Sequence, residues 1–142
     1  MSTVLPDPST PFGERVARRL RDEPIIWLTI VGADGTPQPN PVWFLWDGES
    51  FLVYSLNSAK RLDHIQRSAK VSLHFNGDSA GDDIIVFTGA AQVRPEEPQA
   101  DKNGPYVEKY KEFIARLFQT PERFAALYSA PLRIRPTRVR GH

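Results

Sequence analysis

The chain has 142 residues, 18 basic and 17 acidic side chains, a formal net charge of +1 and no cysteine. That length suits one domain able to bury a core without disulfides or metals, and the balanced charge gives no global field to draw nucleic acid or an anionic membrane. Thiol nucleophiles, thiolate zinc sites and disulfide scaffolds are excluded together, and His64, His74 and His142 sit neither in a paired helical metal motif nor near a Gly-x-Ser-x-Gly elbow.

Residues 1–11 hold Pro6, Pro8 and Pro11 among Ser, Thr and Asp, a composition expected to give an irregular arm ahead of a domain spanning residues 12–142. The same prolines, with Asp7, Glu14 and Arg15, interrupt any signal-type apolar core. No run approaches the roughly 18 apolar residues of a membrane span, so the expectation is a cytoplasmic protein without membrane or nucleic-acid partners. Phe12, Val16 and Leu20 recur every four residues and predict a short amphipathic helix ending before Pro24, with Arg15, Arg18, Arg19 and Arg21 on its solvated face.

Ile25 to Val31 is β-branched and aromatic and stops at Gly32-Ala33-Asp34-Gly35, a strand entering a hairpin. Gln38 to Trp46 reads as the next strand, ending at the tight turn Asp47-Gly48 and returning through Ser50 to Ser55. Pro37, Pro39 and Pro41 alternate in and just ahead of it, and residues lacking an N–H place that strand at an edge or gap. Such a strand leaves backbone groups free for a ligand ring, or is simply an edge protected by proline. Alternation turns Trp43 and Leu45 to one face and Phe44 and Trp46 to the other, so one pair meets something besides the barrel interior.

After Leu56-Asn57, Ser58 is the predicted N-cap of a helix starting at Ala59, with Leu62, Ile65 and Ala69 on one face. Lys60 and Arg61 then fall in its first turn, where unpaired N–H groups and the helix dipole disfavour cations. A docked anion would reverse that sign by roughly 0.3 to 1 kcal/mol per dipole interaction.

Lys70 to Asn76 alternates as a strand that places His74 with Ser72 and Asn76, and a polar loop runs to Asp83. From Ile84 a further strand runs until Pro95-Glu96-Glu97-Pro98 ends it, and Gly89 within it marks a bulge, a bend or a close backbone approach. Tyr106 to Phe118 predicts a helix with Val107, Tyr110, Phe113, Ile114 and Leu117 on one face. Thr120-Pro121-Glu122 opens another that ends near Tyr128. Leu132 to Arg140 begins as a strand with Leu132 and Ile134 inward and Arg133 and Arg135 outward, either charged blockers of an edge or contacts for an anionic ligand.

The Gln-Pro-Asn-Pro-Val-Trp strand, its hairpin, the second strand ending Tyr54-Ser55, then Asn57 and Lys60-Arg61 resemble the split β-barrel flavin and deazaflavin proteins of the pyridoxamine 5'-phosphate oxidase-like superfamily. Pro41-Val42-Trp43-Phe44 and the closing Arg135-Pro136-Thr137-Arg138-Val139-Arg140-Gly141 are similar to its actinobacterial coenzyme F420-dependent reductases, the resemblance covering roughly residues 15 to 141. The resemblance implies a mainly β split barrel with peripheral helices, a homodimer with the cofactor at the subunit boundary, and hydride transfer from reduced F420 to a small organic acceptor. It implies cofactor binding by Gln38, Pro39, Asn40, Pro41, Val42 and Trp43 at the ring and by Ser55, Leu56, Asn57, Lys60 and Arg61 at the anion. No acid–base constellation is visible, as expected where the cofactor carries the chemistry. FMN at the same cations is the alternative, although the oxidase FMN strand is basic and aliphatic where Gln38, Pro39 and Trp43 stand here. A cofactor-binding protein without turnover is the other.

Overall fold

The computed structural model describes residues 4–142, so the first three residues of the expected arm lie outside the described residues. Helix α1 (Pro11–Asp22) is capped by the Thr10 side chain, which accepts from Gly13 N–H, and it buries Val16 and Leu20. Its face is less solvated than the arginine pattern predicts: Arg19 is buried, donating to the Asn76 carbonyl at 2.9 Å and pairing with Asp83 at 3.1 Å. A guanidinium can be withdrawn from water only where its donors find acceptors, and the loop before the sixth strand supplies them.

Seven strands follow in one antiparallel sheet: β1 (Ile26–Val31), β2 (Pro37–Val42), β3 (Leu45–Trp46), β4 (Phe51–Ser55), β5 (Lys70–His74), β6 (Ile85–Val93) and β7 (Ala130–Gly141). Their order is β2-β1-β5-β6-β7-β4-β3, and the sheet curls into a split barrel. Helix α2 (Lys60–Arg67) follows β4, and a short 3₁₀ turn, α3 (Gly104–Phe118) and α4 (Pro121–Leu127) lie between β6 and β7. Among the described residues, no helix is long and apolar enough to cross a membrane.

The proline strand is at an edge, as its missing donors require. Pro37, Pro39 and Pro41 stand opposite Val31, Thr29 and Trp27. Antiparallel pairs alternate between bonded and non-bonded positions, so these prolines take the non-bonded ones. The outer edge of β2 therefore offers carbonyls and no N–H, half of what a ring edge needing both would use.

The predicted strand from Gln38 to Trp46 is broken. β2 pairs with β1 and ends at Val42, whereas β3 pairs with β4 through Leu45 opposite Leu52 and Trp46 opposite Phe51. Trp43 and Phe44 bridge the two. The Asp47-Gly48 turn forms as expected, with Gly48 at φ +100° and the Asp47 carboxylate accepting from the N–H groups of Glu49 and Ser50 at 2.9 and 2.8 Å.

The pairing of β6 with β7 shifts register between Thr88 and Gly89, Thr137 of β7 being the extra residue, and a Cβ on Gly89 would come within 2.6 Å of the Arg135 carbonyl, so only glycine allows that approach. β7 lies between β6 and β4, which corrects the edge-strand reading of the arginine-rich tail. Arg133 is spent on structure: it forks onto Glu97 at 3.0 and 2.7 Å and reaches Asp47 at 3.0 Å.

Two apolar clusters result. Ile26, Leu28, Phe44, Phe51, Val53, Leu73, Phe87, Leu132 and Ile134 fill the barrel with Val16 and Leu20 of α1 over one end. Leu52 and Tyr54, from the opposite face of β4, meet Tyr106, Tyr110 and Ile114 of α3 and Phe124 of α4. All five residues of β4 are buried, one face in the barrel and the other against the second cluster, which explains why its first four residues carry bulky side chains on both faces. The expected alternation holds, Phe44 and Trp46 packing with the barrel core and Trp43 and Leu45 with the second cluster.

Candidate functional site

A cavity of about 350 Å³ opens in the second cluster, between the end of β2, the end of β4, the start of α2 and the two C-terminal helices. Of the residues singled out in the sequence, Pro41, Val42, Trp43, Ser55, Leu56 and Arg61 line it. Gln38, Pro39 and Asn40 are exposed along the edge strand, and Asn57 and Lys60 are exposed outside the lining. The remaining wall comes from Tyr54, Ala59, Tyr106, Leu117, Phe118, Phe124 and Tyr128. The sequence pattern predicted α3 and α4 as helices but did not place them at this wall. Its signal was present in the aromatic recurrence Tyr106, Tyr110, Phe113, Phe118, Phe124 and Tyr128, far denser than a plain covering helix needs.

The aromatics are ordered. Tyr110 stacks on Trp43 at 4.6 Å and 6°, Trp43 on Phe124 at 5.2 Å and 19°, and Phe124 on Tyr128 at 4.7 Å and 9°. Four near-parallel rings thus form a column whose last member, Tyr128, is half-buried in the cavity lining. Phe118 closes against Trp43 and Phe124 edge-on, the arrangement that complements ring quadrupoles.

Polar groups are few. Ser55 is buried and its hydroxyl donates to the Leu56 carbonyl at 3.2 Å. Tyr54 donates its hydroxyl to the Pro98 carbonyl at 2.8 Å and accepts from the Asn103 amide at 3.2 Å. The Tyr106 hydroxyl is buried with no hydrogen-bond partner among the described residues, and burial drives its ionisation far above the ordinary phenol range.

Helix α2 begins at Lys60. Ala59, not Ser58, is its N-cap, and no side chain caps the first turn. Alanine has no oxygen to offer, so the leading N–H groups lack side-chain acceptors. Arg61 is half-buried, and burial lowers its guanidinium from the usual range with only the Tyr128 hydroxyl opposing. It has no carboxylate partner among the described residues. The site thus unites stacked rings, an uncapped helix start and an uncompensated cation: the chemistry of a pocket for a flat ring bearing an anion.

A seven-stranded split barrel with such a pocket defines the class of protein, and the sequence agrees. Residues 12–142 match the pyridoxamine 5'-phosphate oxidase family, and the chain belongs to it. No curated protein sequence matches the chain. Solved structures share the fold at low identity. One is an F420 reductase, 22% identical with TM-score 0.65, covering 87% of this chain and 94% of its own. A putative pyridoxamine 5'-phosphate oxidase from Listeria innocua is 20% identical, TM-score 0.64, covering 89% and 94%. HutZ, a heme storage protein from Vibrio cholerae, is 14% identical, TM-score 0.64, covering 93% and 95%.

Proposed function

We propose that the cavity holds the ring and anionic chain of coenzyme F420 and that the protein is an F420-dependent oxidoreductase passing hydride to a small organic acceptor. Arg61 is the observation that carries this reading. A half-buried cation with no anionic neighbour is unfavourable until an anion joins it, and the uncapped start of α2 offers N–H donors to the same anion. Arg61 and the α2 terminus would hold the phosphodiester, and Tyr128, the end of the ring column, would lie against the ring. Reduced F420, when bound, supplies the hydride. The chain's share is to bind, orient and keep out water, which a wall of Leu117, Phe118 and Phe124 suits. The fold shared with an F420 reductase supports the same choice.

The reading includes a homodimer. Leu117 and Leu127 are 55% and 54% exposed beside this site, and Leu56 in the cavity lining is 40% exposed, an apolar rim that a second copy would cover.

Fluorescence-quenching and absorbance titrations with F420, FMN and heme test the assignment. Saturable F420 binding tighter than FMN is expected. FMN alone would move the protein to the flavin alternative, heme alone would indicate a storage role like that named for HutZ, and binding of none would remove the site assignment. Incubation with reduced F420 and a panel of enones and quinones then separates a reductase, which consumes the cofactor, from a carrier that only binds it.

A further inference from the structure

Phe44 sits in the gap between β2 and β3, and α3 grips its backbone at both polar atoms. Its N–H donates to the Tyr110 hydroxyl at 2.8 Å, and Lys109 Nζ donates to its carbonyl at 2.8 Å. The Tyr110 hydroxyl itself faces the carbonyls of Pro24 at 2.8 Å and Phe44 at 3.0 Å. The Lys109 ammonium also lies 3.8 Å from the centroid of the Phe44 ring and 5.2 Å from that of Tyr110, a cation held over two aromatic faces. The Phe44 ring is fully buried in the barrel core, while Trp43 turns the other way, stacks on Tyr110 and lines the cavity. One residue pair therefore joins the barrel to the cavity wall, and two adjacent side chains of α3 fix it.

We infer that Lys109 is a protonation-dependent latch on the aromatic wall of the cavity: its ammonium, seated on the Phe44 carbonyl and ring, holds the chain gap that carries Trp43, and release of its proton to solvent relieves the burial of that charge and reseats the gap on a neutral-amine hydrogen bond. Two of the attractions seen here require the positive charge, the charge-assisted hydrogen bond and the cation–ring contact, and a neutral amine keeps only a weaker hydrogen bond.

The groups around Lys109 are few. Asp22 and Glu23 at the end of α1 favour its charge, and burial opposes it more strongly, lowering the ammonium to about 8. On its own helix Glu108, Lys111 and Glu112 share its surface recess, with Lys111 paired to Glu108 at 2.9 Å. The segment Pro41 to Trp46 carries no charged side chain. Tyr110 stays neutral throughout, because burial pushes its phenol up.

The latch concerns the ligand-free wall, and only its consequence for F420 affinity rests on the proposed function. The test is the tryptophan emission of ligand-free protein from about pH 6.5 to 9.5, a range below ordinary tyrosine ionisation. A transition with midpoint near 8 is expected in the unmodified chain. It should vanish in Lys109→Met and Lys109→Arg, the arginine keeping its charge throughout, and also in Trp43→Phe, which removes the reporter. If Lys109→Met does not fold, Lys109→Arg decides. A flat profile in the unmodified chain, or the same midpoint persisting in Lys109→Arg, would overturn the latch. F420 affinity should follow the same midpoint in the unmodified chain and stay level in Lys109→Arg, and a failure of F420 to bind leaves the fluorescence result standing.

Discussion

On the barrel side of β4, Phe51 and Val53 meet aliphatic and phenylalanine side chains, with Trp46 at the margin against Phe51. On the other side, one residue along, Leu52 and Tyr54 meet tyrosines, a tryptophan, an unpartnered hydroxyl and a cavity. The first environment is closed on all sides and its content is packing. The second is built from rings with polar edges and keeps open space and an uncompensated cation, features that do not stabilise a fold. One strand thus separates a densely packed region from one that keeps the cavity in which the proposed ligand would lie.

Substitutions should separate the two. Phe87, wholly buried among Phe51 and Phe75, should lose about 3 to 5 kcal/mol on truncation to alanine, measured by urea denaturation. The second cluster should respond according to polar satisfaction. Tyr110→Phe orphans the Phe44 N–H and should lose about 1 to 3 kcal/mol. Tyr106→Phe removes a hydroxyl that bonds to nothing and should leave stability unchanged or slightly higher.

A further modest effect is on pH dependence. The Lys109 ammonium is lowered from 10.5 to about 8 in the fold, so between those values the unfolded chain binds more protons and stability rises with pH. That gain is complete above the unfolded value and lost as pH falls through 8. Solvent screening of a partly exposed group limits it to about 1 kcal/mol. Urea midpoints at successive pH values should therefore climb in the unmodified chain relative to Lys109→Met.

Much of this architecture was legible in the sequence. Alternating prolines located the edge strand, Thr120-Pro121-Glu122 located α4, whose Thr120 side chain accepts from the Arg123 N–H, and Gly89 marked a close backbone approach to β7. The break at Trp43-Phe44 was not legible, because an unbroken apolar alternation looks the same whether its two halves pair with one strand or with two. Lys60 and Arg61 were equivalent by pattern, yet the angular step of the helix sends one to solvent and the other to the cavity. The cavity wall on α3 and α4 lies more than forty residues from β4 in the chain, and only the fold brings it there.

That inequality gives the most direct test. F420 titrations of Arg61→Met and Lys60→Ala, each paired with urea denaturation, should show affinity falling roughly tenfold or more for Arg61→Met with its stability unchanged or raised, and a much smaller loss for Lys60→Ala. Affinity unchanged in Arg61→Met, with the protein folded, would contradict the assignment of this cavity as the ligand site.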